Sequence, residues 1–481
     1  MHAVEERPVM EKAGSSRRIL VCIASYGRAN DTYLTTLIAA YRGLPYVTHI
    51  VVLSNVSKYL GNDVEVLVGL PTRNPWSLPF GHKRIFAERS NDYDLFVYSE
   101  DDTLITRDNI EAFLRVSAVL RDDEVAGFFR YEKDASGKTF FPEVHGPYHW
   151  DTRSVISRGA FTFAFFTNEH AACYMLSREQ LRRAIDSGGF LVEPHQGKYD
   201  LIVSAGTDAY TSCGFRKVIC ISHFTDFLVH HLPNKYIGTL SLSEEELHRQ
   251  IDELYRIADA SEKPAALLAD HPEFRACDFG KDYYEPVDTE VMSLVPHNAH
   301  NILSIGCGWG ATEEELVRRG KTVSAVPLDA AISACAEARG VETVKGDLKQ
   351  ALAKLDGKRF DCIIASNLFH LVDDPASTVA LLAAFLSANG KLVASVPNIF
   401  RIPTLWRKLR RVSSHRGLGT FSKSGVHWAS QWTMRRWVQT GGLRVQRVIH
   451  VMPQRHNLTW RLLRAVRPIL ASKIITVASR D

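Results

Sequence analysis

The chain alternates short apolar runs with stretches of helical periodicity, and it does so twice. Residues 1–16 are polar and read as a disordered tail. "RILVCIASYGR" predicts a strand running into a turn, and "THIVVLSN" predicts a second strand after a helical stretch. "VEVLVGL" and "DLFVYSEDD" complete a first set of strands. In "SLSEEELHRQIDELYRIAD", Ser243 and Glu246 have capping-box spacing, while Leu247, Ile251, Leu254 and Ile257 supply an apolar face. A helix is predicted there. A second set of strands, "NILSIGCG", "TVSAVPL", "FDCIIAS" and "GKLVASVP", begins near Asn301, again separated by helical segments. Such alternation predicts open, largely parallel sheets, with ligands at the carboxyl ends of the strands. The expected fold class is α/β with two domains, residues 17–240 and 281–481, joined by a helical connector over 241–280. No internal repeat links the two halves.

Composition changes this picture little. The chain has 481 residues, too many for one ordinary core, with 45% hydrophobic and 23% charged residues, as in soluble globular proteins. "MHAVEERPVMEKAGSSRR" has no apolar core of a signal peptide, and no run approaches the ~18–20 apolar residues of a membrane span. The eight cysteines form no CxxC pair and no disulfide-like framework, so a reducing, cytoplasmic setting without structural zinc is expected. Charge is more informative. Between Arg401 and Arg480 there are 17 Lys and Arg and no Asp or Glu. Residues 1–400 therefore carry 41 basic and 53 acidic side chains, a net of −12.

Candidate chemistry first gathers in the N-terminal half. After the apolar Phe96, Val97 and Tyr98, the chain presents Glu100, Asp101 and Asp102 together. Like charges this close repel, and each is costly to desolvate without a positive partner. A divalent cation accompanied by substrate phosphates is the common solution, although a solvated turn accounts for an acidic triplet about as often. "ASYGR" ends the first strand with Ser25, Tyr26 and Arg28, and "LPFGHKR" opens a helix with His82, Lys83 and Arg84. Cations at a helix N-terminus oppose its dipole and point to an anion. "SHFTDFLVHHLPNKY" ends the region with His230, His231 and Lys235.

In this order the segments resemble GT-A-type glycosyltransferases, with "YSEDD" in the place of their DxD-type motif. The resemblance implies a Rossmann-like mixed sheet over about 17–240 and a Mn²⁺ or Mg²⁺ ion held by Asp102 and His231, with His230 as the alternative. It implies a nucleotide sugar bound near Ser25, Tyr26, Arg28, Asn55, His82, Lys83, Glu100, Asp101 and Lys235. Asp208, in a loop of "AGTDAYTSCGF", is the candidate base for an acceptor hydroxyl, with Glu169 of "TNEH" the weaker candidate. A core or surface role for each histidine, and a turn or capping role for Asp208, are the alternatives.

"ILSIGCGWGATEEEL" joins a buried strand to a helix through Gly306, Gly308 and Gly310. With "KGDL", "FDCIIASNLFHLVDDP" and "LLAAFLSANGKLVASVPN" following, residues 281–481 resemble class I S-adenosylmethionine-dependent methyltransferases. The resemblance implies a Rossmann-like sheet and a cofactor cradled by Gly306, Cys307, Gly308 and Gly310, with Asp347 near its adenine. Asn367 to His370 would lie beside the methyl group, with His370 the candidate catalytic residue. "DYYEP" resembles the leading helix, from which Tyr284 would close over the cofactor. The acid expected at the end of the second strand is replaced by Pro327, with Asp329 two residues later as its substitute. Another nucleotide, or none, is the alternative for such a domain.

The acid-free stretch holds "RIPTLWRKLRRVSSHRG" and "LTWRLLRAVRPIL". In the second, Leu458, Leu462, Leu463, Val466 and Leu470 form an apolar face, with Arg461, Arg464 and Arg467 polar. A solvated helix covering the sheet explains any one such helix. A phosphate-bearing acceptor or an anionic membrane surface better explains the missing acids, with nucleic acid a lesser alternative. The expected function is a bifunctional glycan-modifying enzyme: metal-dependent glycosyl transfer from a nucleotide sugar, plus methylation of a glycan or lipid-linked glycan, on oxygen. The alternatives are a glycan-binding or scaffolding protein that only methylates, and an RNA-modifying methyltransferase.

Overall fold

The computed structural model describes residues 17–144, 146, 148–238, 241–268, 279–409, 418, 420–453 and 467–480. The expectations for residues 1–16, Cys277, Arg410, Arg411 and the apolar face built on Leu458, Leu462, Leu463 and Val466 lie outside them.

The chain folds into two compact units that are not consecutive segments. One comprises residues up to Glu132, Glu169–Val218 and His223–Asn234; the other comprises Lys133–Asn168, Ile219–Ser222 and everything from Lys235 onward. A boundary near residue 240 is thus redrawn, because residues 133–168 group with the C-terminal unit.

In the first unit, β1 (Arg18–Ser25) leads through α1 (Asp31–Arg42) to β2 (Val47–Ser54) and β3 (Val64–Val68). Helix α2 (Gly81–Glu88) then precedes β4 (Leu95–Glu100). The strands lie parallel in the order β3-β2-β1-β4, with Cys173–Ser177 added antiparallel beside β4. Ile19 to Ile23 are fully buried, as expected of a parallel strand covered on both faces. The chain leaves β1 for β2 on one side and returns to β4 on the other, so the order reverses between β1 and β4. Ala24 stands beside Glu100 there, which brings the acidic trio to the switch point of the sheet.

Two charged residues lie deep in this unit. Asp208 is in the helix Leu201–Thr211, not in a loop, and is 1% exposed. Its carboxylate pairs with the buried Lys83 ammonium of α2 and also accepts from Ser212 Oγ at 3.0 Å. Burial pushes the Lys83 pKa down, with Asp208 opposing the shift. Beside it, His82 is fully buried and stacks on Tyr98 at 4.1 Å. His82 Nδ1 bonds the Pro79 carbonyl, and its Nε2 bonds the Tyr174 hydroxyl. Burial holds its pKa down at about 3, so the ring is neutral.

In the second unit, α3 (Glu244–Asp259) starts at the predicted capping box of Ser243 and Glu246 and buries Leu247, Ile251, Leu254 and Ile257 as the pattern requires. Then follow β5 (Asn301–Cys307), α4 (Ala311–Arg318), β6 (Thr322–Pro327), α5 (Ala330–Ala338), β7 (Glu342–Thr343), β8 (Phe360–Ala365) and β9 (Leu386–Pro397). The basic tail contributes β10 (Arg444–Val451) and β11 (Lys473–Ser479), so part of it is sheet rather than a covering helix. The sheet order is β7-β6-β5-β8-β9-β11-β10, parallel except that β11 runs antiparallel to both neighbours. Helix α3 packs on α5 and on the hairpin Trp150–Arg158/Phe161–Phe166, whose strands the apolar pattern does not single out.

The Lys83–Asp208 pair gives a test of its structural role. Lys83→Met alone should destabilise the first unit by about 3–5 kcal/mol, because it strands a buried carboxylate. Lys83→Met with Asp208→Leu should recover most of that loss in denaturant unfolding. A double variant as unstable as the single one would contradict the pairing argument.

Candidate functional site

At the end of β4 the three acids have different surroundings. Asp101 accepts from Ser25 Oγ at 2.6 Å and from Asn30 Nδ2 at 2.7 Å. The buried Lys58 ammonium donates to Ser25 Oγ at 2.8 Å and pairs with Asp31 at 2.5 Å. Burial still raises the Asp101 pKa, against the hydrogen bonds from Ser25 and Asn30. Part of the positive charge that the trio requires is therefore internal, and Lys58 carries it. Asp101 and Ser25 serve as an anchor for the turn after β1.

Asp102 lies beside His231, with Oδ2 3.5 Å from His231 Nε2. The strand Leu228–His231 brings the histidine there by pairing His231 with Thr103. On the far side of the ring, Glu132 Oε1 accepts from Nδ1 at 2.6 Å. A carboxylate that fixes one ring nitrogen turns the other toward its target, the arrangement seen behind metal-binding histidines. Asp102, His231 and Glu132 are all buried. Among the described residues, no cluster of three or more His, Cys, Asp or Glu is arranged to hold a metal by itself.

Beside this line lies a cleft of about 310 Å³ lined by Tyr26, Asn30, Trp76, Pro79, Glu100, Asp101, Asp102 and Ile202, among others. Tyr26 and Trp76 are about half exposed at its wall. Asn55 does not line it; its Oδ1 accepts from Gly27 N–H at 2.7 Å and fixes the turn. Arg28 is exposed, donates to the Ser57 carbonyl at 2.8 Å and lies 3.5 Å from Asp31. Arg84 is exposed and pairs with Glu88 one turn on. His230 stacks on Tyr131 at 4.7 Å, turned to a different partner from His231.

Several expected residues are corrected by this geometry. His82 faces the core and Lys83 the buried Asp208 carboxylate rather than the anion of a ligand, and Asp208 is paired with Lys83 rather than poised as a base. Glu169 accepts from Lys198 at 2.5 Å and from the Tyr199 hydroxyl at 2.6 Å. Lys235, four residues after His231, lies over the Tyr236 ring at 5.1 Å.

In the second unit the glycine turn ends β5 at the β5/β8 switch point of its sheet. Gly306 and Gly310 have φ of 78° and 89°, which side-chain-bearing residues rarely adopt. A Cβ on Gly308 would lie 2.1 Å from the Tyr283 carbonyl oxygen, so Gly308 is required by the chain's own packing. That carbonyl accepts from Trp309 N–H at 2.9 Å. The segment carrying Tyr283 and Tyr284 is a turn, not the expected leading helix. Tyr284 is buried with its hydroxyl donating to Gln250 Oε1 at 2.9 Å, and it meets the edge of Trp309. The cleft around the turn measures about 20 Å³, so a ligand of nucleoside size enters only if the Lys281–Glu285 segment shifts.

Acidic groups surround this turn. Asp329 caps α5 through Ile332 N–H at 2.9 Å and is 5% exposed. Burial raises its pKa to about 6, against hydrogen bonds from the backbone and from Tyr283. Glu313, which the sequence hides in an ordinary acidic run, is buried beneath the turn and accepts from Ser304 Oγ at 2.6 Å. Glu285 and Lys281, which also line the cleft, pair at 2.5 Å. Asn367, at φ 48°, donates to Glu285 Oε1 at 2.9 Å, behind the cleft wall rather than in it. Cys307 lines the cleft, its thiol pushed well up by burial.

Two expected residues have other tasks. Asp347 caps the helix Leu348–Lys354 through Gln350 N–H at 2.9 Å. His370 is 1% exposed, its Nε2 bonds the Phe279 carbonyl at 2.9 Å, and burial holds its pKa down at about 3. It is a neutral core residue rather than an accessible catalytic group.

Comparison with known proteins bears on the second unit. A family model described as "Methyltransferase domain" matches residues 247–465. A ubiquinone biosynthesis O-methyltransferase of Xylella fastidiosa is 32% identical over 119 residues, covering 24% of this chain and 48% of that protein. A malonyl-[acyl-carrier protein] O-methyltransferase of Halalkalibacterium halodurans is 31% identical over 138 residues, covering 26% and 51%. The chain thus spans about half the length of the curated relatives it matches. The crystal structure of an S-adenosylmethionine-dependent methyltransferase from Mesorhizobium loti covers 40% of this chain and 96% of its own, at 20% identity and a TM-score of 0.29. With the family match placed on this sheet and its glycine turn, the C-terminal part of the chain is a class I S-adenosylmethionine-dependent methyltransferase domain.

Proposed function

We propose that the chain is a two-activity glycan-modifying enzyme, transferring a methyl group to oxygen in its C-terminal unit and a sugar from a nucleotide donor in its N-terminal unit. The oxygen acceptor is supported by the two relatives named above, both O-methyltransferases. With the Lys281–Glu285 segment moved off the turn, the residues around it would accept the methyl donor. S-adenosylmethionine supplies an electrophilic methyl group on a sulfonium, a cation that suits a turn underlain by the buried Glu313. Gly306 and Gly310 give the turn its left-handed backbone, and Asp329 takes the part of the missing acid after Pro327 in accepting from hydroxyls.

The glycosyl reading is carried by one observation: the Glu132–His231–Asp102 line at the switch point of a parallel sheet, beside a cleft of about 310 Å³. Glu132 beside Nδ1 orients the His231 ring so that Nε2 faces the Asp102 carboxylate. Asp102 and His231 would hold a divalent ion there, and that ion would offset the charge of a departing diphosphate. Tyr26 and Trp76 offer aromatic faces to a nucleoside or sugar ring. The acceptor in this reading is a glycan or a lipid-linked glycan.

Two tests follow. Asp102→Ala should reduce Mn²⁺-dependent turnover of nucleotide sugars by at least about a hundredfold, with methyl transfer by the same preparation retained. Equal donor turnover in metal-limited buffer would remove the glycosyl assignment and leave methylation standing.

Asp329 supplies the second. Its folded pKa of about 6 lies above the 3.8 of an ordinary aspartate, so the folded state binds its proton more tightly than the unfolded one. Stability from this group is present at low pH and is lost as pH rises between those values. Asp329→Asn keeps the helix cap and should raise stability at pH 8 by up to about 3 kcal/mol, with no gain near pH 4. The same variant should weaken S-adenosylmethionine binding in calorimetry. A gain independent of pH, or unchanged affinity, would count against the role given to Asp329.

A further inference from the structure

The acid-free stretch of the second unit carries large apolar side chains in the open. The helix Ile402–Leu409 exposes Ile402 by 48%, Trp406 by 53% and Leu409 by 82%, while Thr404 turns inward at 2%. Positions 402, 406 and 409 are spaced i, i+4, i+7 and so share one helix face. Phe400, just before this helix, meets the Trp432 ring edge-on at 5.6 Å, and Trp432 is itself 54% exposed. On its own helix, Gln431–Thr440, Trp432 is followed at i+3 and i+4 by the exposed Arg435 and Arg436. Arg407 and Lys408, the next two residues, lie about 100° and 200° round the helix from Trp406, and Lys408 is held over the Trp428 ring at 4.7 Å.

Exposed aromatic and aliphatic side chains bordered by cations suit one kind of partner. A protein or glycan surface has no general reason to exclude every acid from 80 consecutive positions, whereas a surface of uniform negative charge does. Tryptophan favours the boundary between headgroups and acyl chains, and Lys and Arg beside it meet lipid phosphates. We propose that Ile402, Trp406, Leu409 and Trp432 insert shallowly into an anionic lipid bilayer while Arg407, Arg435 and Arg436 bind its headgroups. This surface stands on exposure and charge alone and does not depend on either activity proposed above. Bound there, the second unit meets acceptors anchored in lipid.

Sedimentation of the full chain with vesicles tests it. Equimolar phosphatidylglycerol and phosphatidylcholine should retain the protein at low salt, and pure phosphatidylcholine should retain it at least about tenfold less. Trp406→Ser with Leu409→Ser should weaken binding to the anionic vesicles about tenfold or more, with an unchanged melting temperature. Arg407, Arg435 and Arg436 replaced by Gln should do the same, and 0.5 M salt should mimic that change by screening. No retention of the wild type by anionic vesicles, or equal retention of the serine variant, would overturn the proposal. So would a serine variant that melts lower while binding as before, since the face would then be covered by the chain itself. A short RNA retained with an affinity insensitive to the serine changes, in the absence of vesicle binding, would reassign the cations.

Discussion

A carboxylate at the inner end of a buried strand must be given back most of the solvation it loses, and both units are built around that requirement. In the first, Asp101 is met by Ser25 and Asn30 with Lys58 behind them, while Asp102 is met by His231. In the second, Asp329 is met by the first turn of α5 and by Tyr283, and Glu313 by Ser304. The compensation is unequal. Burial raises the pKa of both Asp101 and Asp329, so it outweighs their hydrogen bonds. Groups left in deficit at strand ends are the ones that gain from a ligand.

The central strands of both sheets (β1, β2, β4, β5, β6, β8 and β9) were legible because they are largely buried apolar runs bounded by turn residues, whereas that pattern does not single out Cys173–Ser177, β7, β10 or β11. Helix α3 was legible to its first residue because a capping box is a local signal. Other features rest on pairings far apart in the chain. Lys83 and Asp208 are 125 residues apart, and nothing near either says that each is the other's partner. Read separately, a lysine beside a helix start looks like an anion contact, and an aspartate before a histidine-rich strand looks like a base.

The histidines show the same limit from the other side. His82, His231 and His370 sit in similar apolar surroundings along the chain, yet only His231 has a carboxylate on each ring nitrogen. His82 is bonded by a carbonyl and a tyrosine, and His370 by a carbonyl. Burial without an acid beside the ring holds both neutral, which suits a core residue. Glu313 escaped notice because "TEEEL" looks like a solvated helix start, when only its first glutamate is buried.

The interleaving of the two units has a consequence for how the chain comes to be folded at all. Residues 133–168 leave the ribosome well before the helices α3 and α5 with which they share a unit. At 5–20 residues per second, the last of those helices follows roughly ten to thirty seconds later. During that interval the hairpin Trp150–Arg158/Phe161–Phe166, with its run of phenylalanines, has no completed core to enter. The first unit is meanwhile interrupted twice before His223–Asn234 arrives to close it. Translation order and assembly order therefore differ, and the nascent chain holds an apolar hairpin in waiting, a natural client for a chaperone.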